Sequence, residues 1–290
     1  MNHLFSLIGN TPLVDLSTLQ ENSKIKLYGK LEGQNPGGSV KDRAAFSMVQ
    51  GMLSRGELGP GKRIVEATSG NTGIAIAMIA ASLHIPVTLI MPENSTEERV
   101  KTMRAYGAEV LLTPADRTIE YSRELAQEME DSGEYVQLNQ FSNDDNWKAH
   151  YRTTGPEIWR DTDGQITHFV SSMGTTGTIT GTGRYLHEQS PAVQIVGVQP
   201  TDGSSIPGIR RWSPEFVPAI YDDSQVDRKI DVSETEAVEM SARLARECGV
   251  FAGTSSGGAT AAALRLAGEL EEGLIVCIIC DRGDRYLSTL

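Results

Sequence analysis

The order of segments along this chain predicts an α/β protein of two domains, each a mostly parallel twisted sheet flanked by helices. Three observations carry that reading. Short apolar or alternating runs recur between longer segments of helical periodicity almost from end to end, the pattern of βα units. The helix predicted over residues 71–83 is apolar nearly all round, as a helix enclosed on several sides must be. Residues 141–164 are polar and turn-rich around Ser142-Asn-Asp-Asp-Asn146, which divides the alternation into two series and marks a crossing between domains.

Taken in order, residues 25–31 alternate with the two-residue rhythm of a half-buried strand, and a helix-like stretch runs to about Arg55. Strands are predicted at 63–68, 87–91, 109–113 and 135–138, with helices at 71–83, about 95–106 and 116–132 between them. The second series has strands at 167–171 and 194–198, a helix to about Glu188, helices at 234–248 and from about 258 to 270, and a last strand ending at Cys280. Residues 200–229 form a long, proline-rich irregular stretch, too long for an idle connection in a compact domain.

Charge and composition narrow the function. With 38 acidic and 26 basic residues the net charge is −12, a field that repels phosphate backbones and anionic membranes, so neither nucleic acid nor membrane is expected as a partner. The first residues lack a basic segment, and Gly9, Asn10 and Pro12 break their short apolar run, so no signal peptide is read there. The three cysteines include Cys277 and Cys280, which fall on opposite faces of the last predicted strand and so do not form a metal or redox pair. The five histidines show no metal-ligand spacing and are read as surface or packing residues. A cytoplasmic chain without disulfides or metal is expected.

Chemistry concentrates in the strand-to-helix turns, where open α/β sheets bind ligands. Gln34-Asn-Pro-Gly-Gly-Ser-Val-Lys-Asp-Arg43 is one such turn, and Ser39-Val-Lys-Asp42 fits a capping box that places Lys41 in the first turn of a helix. A cation there opposes the helix dipole, so the neutral amine is favoured, and a neutral lysine can attack an aldehyde. Gly174-Thr-Thr-Gly-Thr178 offers amides and hydroxyls at a helix start, the donor set a phosphate dianion requires, without the spacing of a P-loop or a dinucleotide fingerprint. Thr68-Ser-Gly-Asn-Thr-Gly73 is a second donor-rich turn, suited to a carboxylate or simply to capping its helix, and Ser255 in Thr-Ser-Ser-Gly-Gly has the same two readings. A tuned amine with one phosphate nest and one carboxylate nest describes a phosphorylated aldehyde meeting an amino acid, which points to pyridoxal 5'-phosphate.

With those turns in place, the sequence from about Leu4 to Thr289 resembles the fold-type II pyridoxal-phosphate enzymes of cysteine biosynthesis, the cysteine synthase/cystathionine β-synthase family. The motifs, in order, are Gly9-Asn-Thr-Pro-Leu13, Pro36-Gly-Gly-Ser-Val-Lys-Asp-Arg43, Thr68-Ser-Gly-Asn-Thr-Gly73, Gly174-Thr-Thr-Gly-Thr178 and Ser255-Ser-Gly-Gly258. Ser204-Ser-Ile-Pro-Gly-Ile-Arg-Arg-Trp212 and Ile279-Cys-Asp-Arg-Gly-Asp-Arg-Tyr-Leu-Ser-Thr289 are similar to the family's B-type isozymes rather than its A type.

The resemblance implies Lys41 as the Schiff-base lysine, Asn71 at the ring hydroxyl, Gly174, Thr175, Thr176, Gly177 and Thr178 at the phosphate, and Ser255 at the pyridine nitrogen. It implies Thr68, Ser69, Thr72 and Gln140 at the substrate carboxylate. It also implies a smaller mobile domain of residues 40–145 facing a larger one of 1–39 with 146–290, the cofactor in the cleft, and a homodimer. Relatives run on past Leu-Ser-Thr whereas this sequence stops at Leu290, a difference expected to bear on site closure or subunit contacts.

The implied reaction replaces the acetoxy group of O-acetyl-L-serine by sulfide, giving L-cysteine, or by thiosulfate, giving S-sulfo-L-cysteine. Arg210 and Arg211, adjacent in an otherwise acidic chain, are candidates to attract the anionic second substrate, with one of the two facing the site. A serine or threonine dehydratase or a cystathionine β-synthase-like enzyme is the neighbouring alternative within the same fold.

Overall fold

The computed structural model describes residues 4–68 and 70–289, so Ser69 and Leu290, both named above, lie outside the described residues. Strands β1 (Leu13–Asp15) and β2 (Ile25–Leu31) precede helix α1 (Lys41–Arg55). Then β3 (Arg63–Ala67), α2 (Asn71–Leu83), β4 (Val87–Pro92), α3 (Glu97–Ala105), β5 (Glu109–Thr113), α4 (Thr118–Asp131) and β6 (Tyr135–Val136) alternate. Helices α5 (Asp145–Arg152) and α6 (Thr154–Asp161) come next, ahead of β7 (His168–Ser172), α7 (Gly177–Gln189), β8 (Gln194–Pro200) and β9 (Arg228–Val232). Helices α8 (Glu234–Cys248) and α9 (Thr254–Glu269) and strand β10 (Gly273–Ile279) complete the order.

The strands form two sheets. One is wholly parallel, in the order β5-β4-β3-β6; the other, in the order β1-β2-β10-β7-β8-β9, is parallel except where β1 runs against β2. Each sheet is covered on both faces, and the alternation of side chains shows it. Along β10, Ile275, Cys277 and Ile279 enter one core while Leu274, Val276 and Ile278 enter another. In the smaller sheet, Ile64, Leu89 and Met91 face one core and Val65 and Ile90 the other. Cys277 and Cys280 pack against different cores, in keeping with their expected opposition.

The structure adds to three parts of that reading. Residues 141–164, read as a polar, turn-rich stretch, carry the helices α5 and α6. These helices bury polar residues, among them Asn146, His150, Thr154 and Glu157, so their inward faces do not register as an apolar stripe. Strands β1 and β9 were not foreseen. The first spans three residues, and the second opens on exposed Arg228 and Lys229 before burying Ile230 and Val232. The irregular stretch 200–229 is anchored in the interior: Ile206 and Ile209 are buried in the core that also holds Ile275.

Candidate active site

A cavity opens at the carboxyl ends of the parallel strands, where Lys41, Asn71, Thr175, Thr176, Thr178 and Ser255 line it together. Lys41 is the first residue of α1, but the expected capping box is absent. Val40 holds the cap position; Ser39 Oγ accepts the Lys41 amide at 3.2 Å, and Asp42 Oδ2 turns back to accept the Gly37 amide at 2.5 Å. The two hydroxyl and carboxylate groups thus tighten the turn that delivers the lysine instead of pairing across it. Burial lowers the pKa of the Lys41 amine, with Cys280 and the Asp281 carboxylate nearby opposing that shift.

Asn71 opens α2, and its amide is held at both ends by residues from beyond β10. Nδ2 donates to Asp281 Oδ2 at 2.7 Å, and Arg285 Nη1 donates to Oδ1. Tyr286 Oη donates to the same Asp281 oxygen at 2.6 Å, and Arg285 also reaches the Gly37 carbonyl. Sequence reasoning quoted this stretch only as a resemblance and missed Asp281, Arg285 and Tyr286 as site residues. The signal available was a run of alternating charge immediately after a strand that ends in the cavity.

The loop between β7 and α7 carries the densest donor set. Thr176 takes φ 72°, a left-handed conformation that a β-branched residue adopts only under constraint. Gly174 has no room for a side chain, since a Cβ there would lie 2.6 Å from the Gly208 carbonyl oxygen. The loop is braced from the long 200–229 stretch: Trp212 Nε1 donates to Gly174 O at 2.9 Å, and the Arg210 amide donates to Met173 O at 2.8 Å. Behind the loop, His150 is fully enclosed, with Nε2 3.3 Å from Thr178 Oγ1 and Nδ1 2.9 Å from Thr154 Oγ1. Its burial, with the Arg43 guanidinium adding like charge and the Glu32 carboxylate opposing, pushes the imidazole down to about 3, so it is neutral and packs as a hydrogen-bonding spacer.

Of the residues expected at a carboxylate, Thr68, Thr72 and Gln140 are all buried, and Thr72 Oγ1 donates to Gln140 Oε1 at 2.9 Å. The two arginines diverge. Arg211 is committed to the Pro200 carbonyl and to Asp231 and Asp202, whereas the exposed Arg210 side chain donates to its neighbour's carbonyl at 3.0 Å and, among the described residues, forms no ion pair.

The sequence profile of the family described as "Pyridoxal-phosphate dependent enzyme" matches residues 4–281. The chain belongs to the pyridoxal-phosphate dependent enzymes. Within that family it is similar to cysteine synthase B of Pseudomonas aeruginosa, 58% identical over 282 residues that cover 97% of this chain and 94% of the relative. Cysteine synthase B of Escherichia coli is 55% identical over 289 residues, covering 100% of this chain and 95% of the relative. The crystal structure of cysteine synthase from Entamoeba histolytica superposes with a TM-score of 0.94 at 36% identity, covering 100% of this chain and 90% of that one.

The residues present fit the cofactor of these pyridoxal-phosphate dependent enzymes. A desolvated amine, a donor-rich loop with no room for a Cβ at Gly174, and a hydroxyl at Ser255 line one cavity. Replacing Gly174 by alanine forces a methyl against a backbone oxygen that cannot swing aside. The expected result is about tenfold weaker retention of pyridoxal phosphate, in line with ~1–3 kcal/mol for overpacking. Dialysis followed by cofactor absorbance would measure it; unchanged retention would mean that the loop is not the phosphate seat.

Proposed function

We propose that this chain is a cysteine synthase, exchanging the acetoxy group of O-acetyl-L-serine for a sulfur nucleophile. The observation that carries the reading is the position of Lys41: a buried, deprotonation-prone amine lining one cavity with Asn71, Ser255 and the 174–178 loop. The shared name of the relatives at 55–58% identity supports the choice of reaction.

When bound, pyridoxal phosphate supplies an electron sink for charge developing at the substrate's α-carbon. In the neutral form that burial favours, Lys41 Nζ takes the α-proton. Thr68, Thr72 and Gln140 orient the substrate carboxylate, the Thr72–Gln140 hydrogen bond keeping the two side chains in register. Acetate then departs from the β-carbon, the sulfur nucleophile adds there, and Lys41 Nζ returns its proton to the α-carbon. Ser255 offers the ring nitrogen a neutral hydroxyl in place of a carboxylate, which keeps the sink weak and favours elimination over transamination.

Arg210 is the residue we assign to an anionic sulfur donor, because Arg211 is already paired on the outer edge of the six-stranded sheet. Replacing Arg210 by alanine should lower thiosulfate-dependent turnover about tenfold more than sulfide-dependent turnover, whereas Arg211→Ala should affect both alike. Parallel kinetic assays with the two donors test this, and equal losses in the Arg210 variant would remove the assignment.

Residues 40–145 are read as the smaller, mobile unit, closing over a cleft against 1–39 and 146–290. A sheet with its own two cores within that span supports this. The active protein is read as a cytoplasmic homodimer, which sedimentation equilibrium would check. The decisive experiment is an absorbance titration with O-acetyl-L-serine followed by sulfide or thiosulfate, with the amino-acid product identified. A spectrum that does not respond to O-acetyl-L-serine would defeat the proposal.

A further inference from the structure

Behind the anion loop one side chain touches both anion seats. Asn146 lies on α5, is 2% exposed, and sits one turn before His150. Its Nδ2 donates to the Gln140 carbonyl at 2.7 Å and to Thr175 Oγ1 at 3.2 Å. Its Oδ1 rests against Gly177, where any Cβ would overlap it. The orientation of the amide is dictated by chemistry, since only the NH2 end can face a carbonyl.

The segment that carries Gln140 is clamped from its other side. The buried Glu66 carboxylate on β3 accepts the amides of Leu138 at 3.0 Å and Asn139 at 3.3 Å, and Asn143 Nδ2 donates to the Leu138 carbonyl at 2.8 Å. Asn139 takes φ 55°, so the chain turns sharply inside this clamp. A continuous path therefore runs Thr72, Gln140, Asn146, Thr175, from the N-terminus of α2 to that of α7.

The direction of these bonds decides what Thr175 can do. Its Oγ1 accepts from Asn146 Nδ2 and, at 3.4 Å, from the Gly177 amide. With its lone pairs engaged, the hydroxyl hydrogen is free to point into the cavity that Thr175 lines, as a donor to an anion.

We propose that Asn146 is a positioning residue that sets the seat of the substrate carboxylate and the seat of the cofactor phosphate through a single carboxamide. The phosphate half rests on the family's cofactor, and the carboxylate half rests on the cysteine synthase reading.

The test uses Asn146→Asp, which keeps the shape but turns the donor into an acceptor and draws the Thr175 hydrogen away from the cavity. The holoenzyme is equilibrated by dialysis against graded pyridoxal phosphate and, separately, against pyridoxal, which lacks the phosphate. The expected result is about a tenfold or greater rise in the dissociation constant for pyridoxal phosphate with little change for pyridoxal. In steady-state assays the KM for O-acetyl-L-serine should rise about tenfold with kcat held within about threefold. Asn146→Ala should reproduce both effects in weaker form, because the Thr175 hydroxyl is freed without being reversed.

Equal weakening of the two aldehydes, or no weakening, overturns the proposal, because a purely structural defect would not distinguish them. A shifted aldehyde preference with unchanged KM overturns the shared role. If the unmodified protein retains pyridoxal phosphate but leaves O-acetyl-L-serine untouched, the reaction assignment fails, while the comparison of the two aldehydes still judges the phosphate half.

Discussion

Exchange of Lys41 for alanine is expected to lower cysteine formation from O-acetyl-L-serine by about 10³-fold or more, since a positioned general base contributes on the order of 10²–10⁴-fold and the amine proposed to anchor the cofactor is lost with it. The variant should fold, because Lys41 lines a cavity and, among the described residues, the enclosed ion pairs are made by Lys30, Glu32, Arg43 and Glu157. Product chromatography, a near-visible spectrum and a thermal melt on the same sample separate loss of chemistry from loss of structure. Residual turnover above about one-hundredth of the unmodified rate would mean that another group takes the proton. In the unmodified enzyme, burial holds the amine below its usual value, so the rate should fall once decreasing pH protonates it.

Removal of Arg43 should destabilise the fold by ~3–5 kcal/mol, the cost of stranding a buried carboxylate. Two residues after Lys41, Arg43 donates to Glu32 at 2.7 and 2.8 Å and to Glu157 at 2.6 and 2.7 Å, and Lys30 joins Glu157 at 2.9 Å. Side chains from β2, α1 and α6, together with Thr11 near the N-terminus, thus meet in one enclosed cluster. Urea unfolding of Arg43→Met, a variant of similar volume, measures the cost, and a loss under about 1 kcal/mol would show that water reaches the stranded carboxylates.

The same cluster sets an acid limit. Burial alone would raise the Glu157 carboxyl, yet Arg43 and Lys30 hold it down at about 2 from an ordinary value of 4.5. Since the folded pKa lies below the unfolded one, the stabilisation is complete above about pH 4.5 and disappears as pH falls towards 2. Unfolding followed across that window should show this loss in the unmodified protein and much less of it in the Arg43 variant.

Elements whose apolar pattern matched their periodicity were legible from the residues. Helices α2 and α8 and strands β2 and β5 fall where the pattern puts them. The helices that back the site were not, because Asn146, His150 and Glu157 face inward while looking like surface residues, their partners lying far away in the chain. The capping motif at Ser39 misled for a related reason. A short-range pattern predicted a local pair, but Asp42 is engaged by the Gly37 amide instead. The turns carrying Lys41, Asn71, Thr175 and Ser255 could each be read singly as ordinary helix starts, and only the common cavity makes them one site. Asp281, Arg285 and Tyr286 depend on a tertiary closure that no local pattern encodes.

The six-stranded sheet places β10 between β2 and β7, joining strands made early and midway through translation by one that emerges late. Until residues 273–279 leave the ribosome, β2 and β7 each expose an unpaired edge, the kind of surface on which nascent chains aggregate. The smaller sheet, closed within residues 63–136, has no such wait. Assembly should therefore be stepwise, with an early-formed module and a late seam, and the seam is where molecular chaperones would have most to protect.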